Sequence, residues 1–147
     1  MAKFQKLDRY IIYGFVLAGA INVIGMLITS RLFTNSYLAA TDPVTFSWFG
    51  QLAIILWGLA YWSVAINYRS VPYLILVFMV EKLVYTVTWA SWLLNKVEIL
   101  KSLSLDSPST AMFFRTYGIN DFLFALFFGW VAYLSFTQRI EKTTSTF

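Results

Sequence analysis

Four long apolar stretches constrain the fold of this chain more than any other feature of its sequence. They lie at about residues 10–29, 46–66, 72–94 and 116–136. Each has the length of roughly 20 residues that an α-helix needs to cross the hydrocarbon core of a bilayer. The connections between them are short, which favours antiparallel neighbours. The sequence therefore predicts an all-α membrane protein, in which residues 1–147 form a single antiparallel four-transmembrane-helix bundle.

The composition leaves no room for a separate soluble domain. Only 12% of the residues are charged and 59% are hydrophobic, whereas about 25% of the residues in a soluble domain are charged. The chain has no cysteine and no histidine, which excludes disulfides, a thiol nucleophile and the usual ligands of haem and iron–sulfur clusters. Nucleotide-binding, zinc-protease and nucleophile-elbow motifs are absent too. We therefore expect no cofactor, no metal site and no catalytic residue.

The net charge of +4 is explained by membrane topology better than by nucleic-acid binding, because basic residues flank membrane helices and set their orientation. With four spans, one side of the membrane receives six basic residues and the other receives four. The first group is Lys3, Lys6, Arg9, Arg69, Arg139 and Lys142; the second is Arg31, Lys96, Lys101 and Arg115. This asymmetry predicts that both termini are cytoplasmic.

Prolines predict where three of the helices begin. Pro43 follows Thr41 and Asp42, which offer capping oxygens, and Pro72 and Pro108 open the third and fourth apolar stretches. Proline is favoured in the first turn of a helix, where its missing N–H has no intrahelical partner. The fourth helix is accordingly expected to begin at Pro108, well before its apolar part.

Each predicted helix has one face that combines small residues with a strongly polar one, as expected where membrane helices pack. On the third helix this face is Glu81, Tyr85, Thr88 and Asn95, with Lys82 turned about 100° away. The phenylalanine-rich face of the fourth helix (Phe122, Phe124, Phe127, Phe128) is expected to contact lipid, with a subunit interface as the alternative. The other faces are Gly14, Ala18, Asn22, Gly25 and Thr29 on the first helix; Gln51, Ile54, Gly58, Tyr61 and Ala65 on the second; and Gly118, Asp121, Ala125, Gly129, Ala132 and Ser135 on the fourth.

Five polar residues from the four helices fall at similar depth in the membrane: Asn22, Gln51, Glu81, Lys82 and Asp121. A charge at the centre of a membrane helix costs about 2.5–3.5 kcal/mol, so such residues face protein or water and find partners. Adjacent residues on a helix do not face each other, so the partner of Lys82 must come from another helix.

Asp121 is the other acidic residue within an apolar stretch and is the predicted acceptor for Lys82. Asn22 and Gln51 can donate hydrogen bonds to whichever carboxylate remains. Two acids and one base leave an imbalance, from which we expect Glu81 to be protonated part of the time. Together with Tyr85, these residues form the predicted ligand-binding or proton-exchange site. Buried polar pairs can instead serve only to fix helix register, and that alternative stays open.

Residues 57–85 carry a resemblance to a known family. The order Gly58-Leu59-x-Tyr61, followed by Arg69, Pro72 and Lys82-Leu83, resembles a pattern in DoxX-like small bacterial four-helix membrane proteins. The resemblance implies a four-helix bundle in a bacterial cytoplasmic membrane and a family lysine at Lys82. It does not extend to Glu81. Some DoxX-type proteins are subunits of membrane oxidoreductases, which implies a subunit role.

These observations lead to three functional hypotheses. The first is a membrane bundle whose polar core binds a small or amphipathic molecule, with proton-coupled transport by a homo-oligomer as one version. The second is an accessory or scaffolding subunit of a larger membrane complex, in which the charges serve assembly. The third, least favoured, is a membrane-embedded acid–base enzyme acting on a lipid or quinone. The expected partners are the lipid bilayer, the ligand and other membrane subunits, and not nucleic acid.

Overall fold

The part of the protein that the structure describes consists of helices joined by short connections. The computed structural model describes the backbone of residues 2–144 and the side chains of residues 5–138, and no strand occurs in that backbone. In chain order the elements are α1 (Ala2–Ala20), a π-helical turn (Ile21–Gly25), α2 (Met26–Thr29), α3 (Ser36–Thr41), α4 (Trp48–Val64), a 3-10 turn (Tyr68–Ser70), α5 (Pro72–Asn95), α6 (Val97–Asp106) and α7 (Pro108–Thr144).

Three helical segments in the described residues are long and apolar enough to cross a membrane. They are Gln5–Thr29, which runs through α1, the π-helical turn and α2, then Pro72–Asn95 and Pro108–Gln138. Their lengths of 25, 24 and 31 residues exceed the roughly 20 residues that the hydrocarbon core requires. The predictions of an all-helical fold and of an integral membrane protein are thereby confirmed.

The second predicted span, 46–66, is shorter in the structure. Helix α4 covers 17 residues, or about 25 Å at 1.5 Å per residue. The prediction that Pro43 opens this helix is wrong, because Asp42 Oδ1 accepts hydrogen bonds from the backbone N–H groups of Val44 (3.2 Å) and Thr45 (3.0 Å) and holds a non-helical turn. The N-cap is Ser47, whose Oγ accepts from Gly50 N at 3.1 Å. Pro72 and Pro108 do open α5 and α7, as predicted.

Small residues bring α1 and α4 into close contact. A Cβ atom added to Gly58 would lie 2.9 Å from the Gly19 carbonyl oxygen and 2.7 Å from Val23 Cγ2. Trp62 Nε1 donates to the Val16 carbonyl oxygen at 2.9 Å across the same interface. This backbone proximity is what small residues provide between membrane helices, and it fixes the height of the π-helical turn against α4.

The predicted contact faces of the second and fourth helices are largely buried, and that of the first is buried at Ala18 and Asn22 and half-buried elsewhere. The predicted face of the third helix is buried only at its Glu81 end. Tyr85 is half-buried and Thr88 and Asn95 are exposed, and the buried side of α5 runs through Ile75, Phe78, Glu81 and Lys82. The reason is that the α5 face is set by large side chains and by the ion pair of Lys82, not by a stripe of small polar residues.

The fourth helix also departs from its prediction, because its phenylalanines do not all face lipid. Phe128 is fully buried and Phe127 packs edge-on against Phe15 of α1. Phe124 is half-buried, and Phe122 is exposed. Phe127 therefore occupies the space that the missing side chain of Gly14 leaves open, since a Cβ there would lie 2.3 Å from the phenylalanine ring.

An ion pair near the start of the first span ties the turn between α4 and α5 to α1. Asp8 accepts hydrogen bonds from Tyr68 Oη at 2.5 Å and from Arg69 Nη2. Burial raises the pKa of the Tyr68 hydroxyl, and its hydrogen bond to Asp8 adds to that rise. Lys3, Arg139 and Lys142, on which the orientation prediction partly depends, lie outside the described side chains, and the orientation stays a prediction.

Candidate functional site

A polar cluster lies between two hydrophobic clusters of the core. One hydrophobic cluster contains Phe15, Tyr61 and Phe128, and the other contains Phe46 and Phe114. Along α5 and α7, the residues of the polar cluster fall between those that contribute to the two hydrophobic clusters, and the same holds for the first span. The surrounding aromatic core therefore shields the polar cluster on two sides.

The π-helical turn places the first member of the cluster. Asn22 lies in the turn Ile21–Gly25 and is buried. Its Nδ2 donates to the Ile54 carbonyl oxygen of α4 at 3.2 Å. Single π-helical turns inside α-helices are frequent at functional sites. Here the turn interrupts the helix at the point where the Asn22 side chain contacts both α4 and α5.

Lys82 is the centre of the cluster. Its Nζ lies 2.6 Å from Asp121 Oδ1 and donates to Asn22 Oδ1 at 3.0 Å. The Nζ atom also lies 5.5 Å from the centroid of the Tyr61 ring, within range of a cation–π interaction. The side chain is 3% exposed. The predicted contact between Lys82 and Asp121 is therefore present, and the ammonium of α5 contacts the π-helical turn, α4 and α7.

Glu81, next to Lys82 in sequence, is bound differently. Its Oε2 accepts a hydrogen bond from Tyr61 Oη of α4. Its Oε1 lies 3.9 Å from Lys82 Nζ, beyond hydrogen-bond distance. Among the described residues this buried oxygen has no hydrogen-bond partner. Buried polar atoms are nearly always hydrogen-bonded, so an exception calls for an explanation.

Gln51 does not join the cluster, and its predicted role is wrong. Its Nε2 donates to the Phe46 carbonyl oxygen at 2.7 Å, so it stabilises the entry to α4 instead of a carboxylate. The predicted donation from Asn22 to a carboxylate is also absent, because Asn22 donates to the Ile54 carbonyl oxygen and accepts from Lys82. Amide side chains readily donate hydrogen bonds to nearby backbone carbonyl oxygens. The pattern of residues on a helix face does not show whether an amide will bind a carbonyl oxygen or a carboxylate.

Tyr61 is the residue that the sequence reasoning placed on the correct face but left out of the site. It is fully buried and its hydroxyl binds Glu81. The available signal was its helical spacing from Ile54 and Gly58 together with its hydroxyl, because a buried tyrosine usually finds a hydrogen-bond partner.

A cavity of about 300 Å³ adjoins the cluster, a size at the lower end of small-molecule sites. Its polar wall includes Asn22, Glu81, Lys82, Tyr117 and Asp121, with Tyr85 and Asn120 beside them. Five buried side-chain polar atoms lack a hydrogen-bond partner in the described part of the chain, and two of them, Glu81 Oε1 and the Tyr117 hydroxyl, belong to residues that line the cavity. The apolar wall includes Met26, Phe46 and Ile54.

This arrangement suits a molecule that is polar at one end. Glu81 and Tyr117 both line the cavity, and each carries a buried polar atom without a hydrogen-bond partner among the described residues, set against apolar side chains. Within residues 5–138, no group of three or more acidic, cysteine or histidine side chains has the arrangement of a metal site. The positive charge of Lys82 is already paired with Asp121, which leaves Glu81 as the less compensated charge.

Comparisons with protein-family models, with curated proteins and with solved structures find no match to this chain. The resemblance of residues 57–85 to DoxX-like proteins therefore stays a prediction.

Proposed function

We propose that this protein is a four-helix membrane bundle that binds a small or amphipathic molecule in the cavity beside Glu81, Lys82 and Asp121. The observation that carries the proposal is the unpartnered Oε1 of Glu81, a buried atom of a residue that lines a cavity of about 300 Å³. An unmet acceptor of this kind costs free energy, about 1–3 kcal/mol or more for a charged group. A bound ligand that donates a hydrogen bond offsets this cost.

In the proposed bundle, α4 is the fourth membrane-crossing helix and runs antiparallel to its neighbours in sequence. Its support is its burial against α1 and the short turn that joins it to α5. Its 17 residues fit a span if the bilayer thins locally or flanking residues extend to the interface. Both termini are proposed to be cytoplasmic, in a bacterial cytoplasmic membrane, from the distribution of basic residues and the DoxX-like resemblance.

A proton-coupled version of this function uses Glu81 as the proton carrier. Two carboxylates and one ammonium share the cluster, so a proton or a cationic ligand on Glu81 balances the charge. Exchange of a proton for a cationic ligand on Glu81 is the simplest coupling that this charge balance allows. A homo-oligomer would place several such sites side by side.

The proposal is tested by native mass spectrometry on full-length protein extracted with its lipids in a detergent-free polymer. The expected result is one bound small molecule per chain, lost in Glu81→Gln. Glu98→Gln on α6 is the matched control, since the Glu98 side chain is 83% exposed and removal of its charge leaves the cavity intact. A protein that carries no molecule, or that carries the same molecule after Glu81→Gln, contradicts the proposal.

A role as an accessory or scaffolding subunit is the second candidate, and the contacts of Lys82 favour it. The ammonium is held by Asp121 and Asn22, as in a cluster that fixes helix packing. In that case Lys82→Met would lose co-purifying membrane subunits along with stability, and Glu81→Gln would leave both unchanged.

A further inference from the structure

The residues that line the cavity differ in exposure, and the difference follows the helix faces. The lining residues on the inward faces of the helices, such as Ile54, Lys82 and Asp121, are buried, while Tyr85 of α5 is half-buried. The exposed or half-buried lining residues fall mainly on two ridges. Ridge A is Ile21, Gly25 and Thr29 on the first span, and ridge B is Phe113, Thr116 and Asn120 on α7.

Both ridges have helical spacing. Ridge A repeats every four residues, and ridge B has intervals of three and four, so each is a single line along its helix. Ile21 is exposed and the other five ridge residues are half-buried, so we infer that the cavity opens between these two lines. Since ridge A lies in the span Gln5–Thr29 and ridge B in Pro108–Gln138, this opening lies beside membrane-crossing segments.

The surface next to both ridges is apolar. Ile24 and Ile28 beside ridge A are 52% and 71% exposed, and Met112 and Ile119 beside ridge B are 58% and 52% exposed. Such side chains suit contact with acyl chains. Phe46 of the cavity wall belongs to an apolar cluster that also includes Leu38 of α3 and Leu103 of α6.

Resting on the binding function proposed above, we propose that the cavity opens sideways into the bilayer between ridges A and B, and that it takes from the membrane a single-chain amphiphile with a hydrogen-bond-donating, cationic head group such as an alkylammonium. The head group binds Glu81 Oε1 and approaches the Tyr117 hydroxyl, while its chain leaves between the ridges.

The chemistry of the head group follows from which atoms remain free. Lys82 is occupied by Asp121 and Asn22, so it has little to offer an anion. The free oxygen belongs to a carboxyl group, which accepts from a donor and repels an anionic head group when ionised. An ammonium satisfies both the hydrogen bond and the charge imbalance of two acids with one base.

Gly25 allows the mouth to be closed without disturbing the core. A Cβ added there meets only Ile21 Cγ2, at 3.9 Å, among the described residues, so Gly25→Leu extends into open space between the ridges. Thr116→Leu narrows the mouth from the other side, and the Thr116 hydroxyl bonds only within its own helix among the described contacts. Ile28→Phe adds bulk on the neighbouring lipid-facing surface and serves as the control.

The experiment places each full-length variant in phosphatidylcholine nanodiscs with dodecylamine or with dodecanoate and counts retained molecules by native mass spectrometry. The wild type and Ile28→Phe are expected to retain one dodecylamine, and Gly25→Leu, Thr116→Leu and Glu81→Gln to bind it at least about tenfold more weakly, a loss of about 1.4 kcal/mol. Dodecanoate is not retained. Tryptophan emission and thermal unfolding establish that each variant is folded, and two independent mouth variants keep the test valid if one of them is not.

Retention of dodecylamine unchanged by both mouth variants overturns the inference, because it indicates binding at the protein surface. Dodecanoate bound as tightly as dodecylamine, yet lost in the mouth variants, also overturns it, while leaving the proposed binding function intact. A protein in which no copurified or added molecule depends on Glu81 or on the mouth overturns both.

Discussion

Replacement of Lys82 by methionine is expected to destabilise the protein by about 3–5 kcal/mol, the cost of removing one partner from a buried ion pair. The Lys82 and Asp121 side chains are 3% and 10% exposed, with 2.6 Å between Nζ and Oδ1. Methionine keeps the length of the side chain but leaves Asp121 without a counter-charge. The insertion cost of an unpaired acid at mid-membrane, about 2.5–3.5 kcal/mol, gives a similar magnitude.

The double variant Lys82→Met/Asp121→Asn is expected to cost less than the sum of the two single variants, because the amide no longer needs an ammonium. For residues in direct contact, the interaction energy in such a cycle is about 0.5–3 kcal/mol, and this buried pair should fall near the upper end. The assay is equilibrium unfolding in mixed micelles with increasing dodecyl sulfate, followed by helical circular dichroism.

An exposed ion pair in the same chain provides the control. Lys101 Nζ lies 2.8 Å from Glu98 Oε1, but the two side chains are 68% and 83% exposed. Exposed pairs contribute about 0–1 kcal/mol, so Lys101→Met should hardly change stability. If Lys82→Met costs no more than Lys101→Met, or if the costs of the Lys82 and Asp121 variants simply add, the reasoning about the cluster is refuted.

Three further predictions concern packing, hydrogen bonding and pH. Gly58→Ala should destabilise the protein by about 1–3 kcal/mol through overpacking. Gly25→Ala should be neutral or stabilising, because alanine favours the helix by about 1 kcal/mol over glycine. Thermal unfolding of the two variants measures the contrast, and equal effects would contradict the close contact of α1 and α4. Tyr61→Phe should cost about 1.5–3 kcal/mol because it removes the donor to the Glu81 carboxylate, measured by the same unfolding assay, with no change in stability as the contrary result. Because the pKa of Tyr68 is raised, its contribution to stability is complete below about pH 10, the pKa of tyrosine in an unfolded chain, and is lost as the pH rises through the higher pKa of the folded state. Ultraviolet titration of the wild type against Tyr68→Phe measures the pKa of Tyr68 in the folded protein. Titration of Tyr68 at the pKa of an unfolded chain would refute the prediction.

The sequence predicted the parts of this fold that depend on segment length and on charge cost. Three of the predicted apolar stretches form helices that are long and apolar enough to cross a membrane. Pro72 and Pro108 mark the starts of two of them. The pairing of Lys82 with Asp121 was predictable because a buried ammonium requires an acceptor, and the apolar segments of the chain offered few. These inferences use local physical constraints that do not depend on detailed packing.

Other features were decided by tertiary contacts that the pattern of residues does not encode. The hydrogen bond from Gln51 to Phe46 O and the turn held by Asp42 are local competitions between side chain and backbone. The part of the α5 face beyond Tyr85 was misjudged because Thr88 was weighted as polar, whereas burial of Phe78 and Lys82 set the orientation. The cavity is a property of how the helices are spaced, and no single helix predicts it.

The most direct test of the account is a solid-state NMR measurement in lipid bilayers of the dipolar coupling between Lys82 ¹⁵Nζ and Asp121 ¹³Cγ. Of the ion pairs in residues 5–138, this one alone joins a lysine to an aspartate, so labelling these two residue types isolates it. The account predicts a strong coupling that disappears in Lys82→Met. A wild-type spectrum without this coupling, in which the Lys82 ammonium instead contacts lipid phosphate, would contradict it.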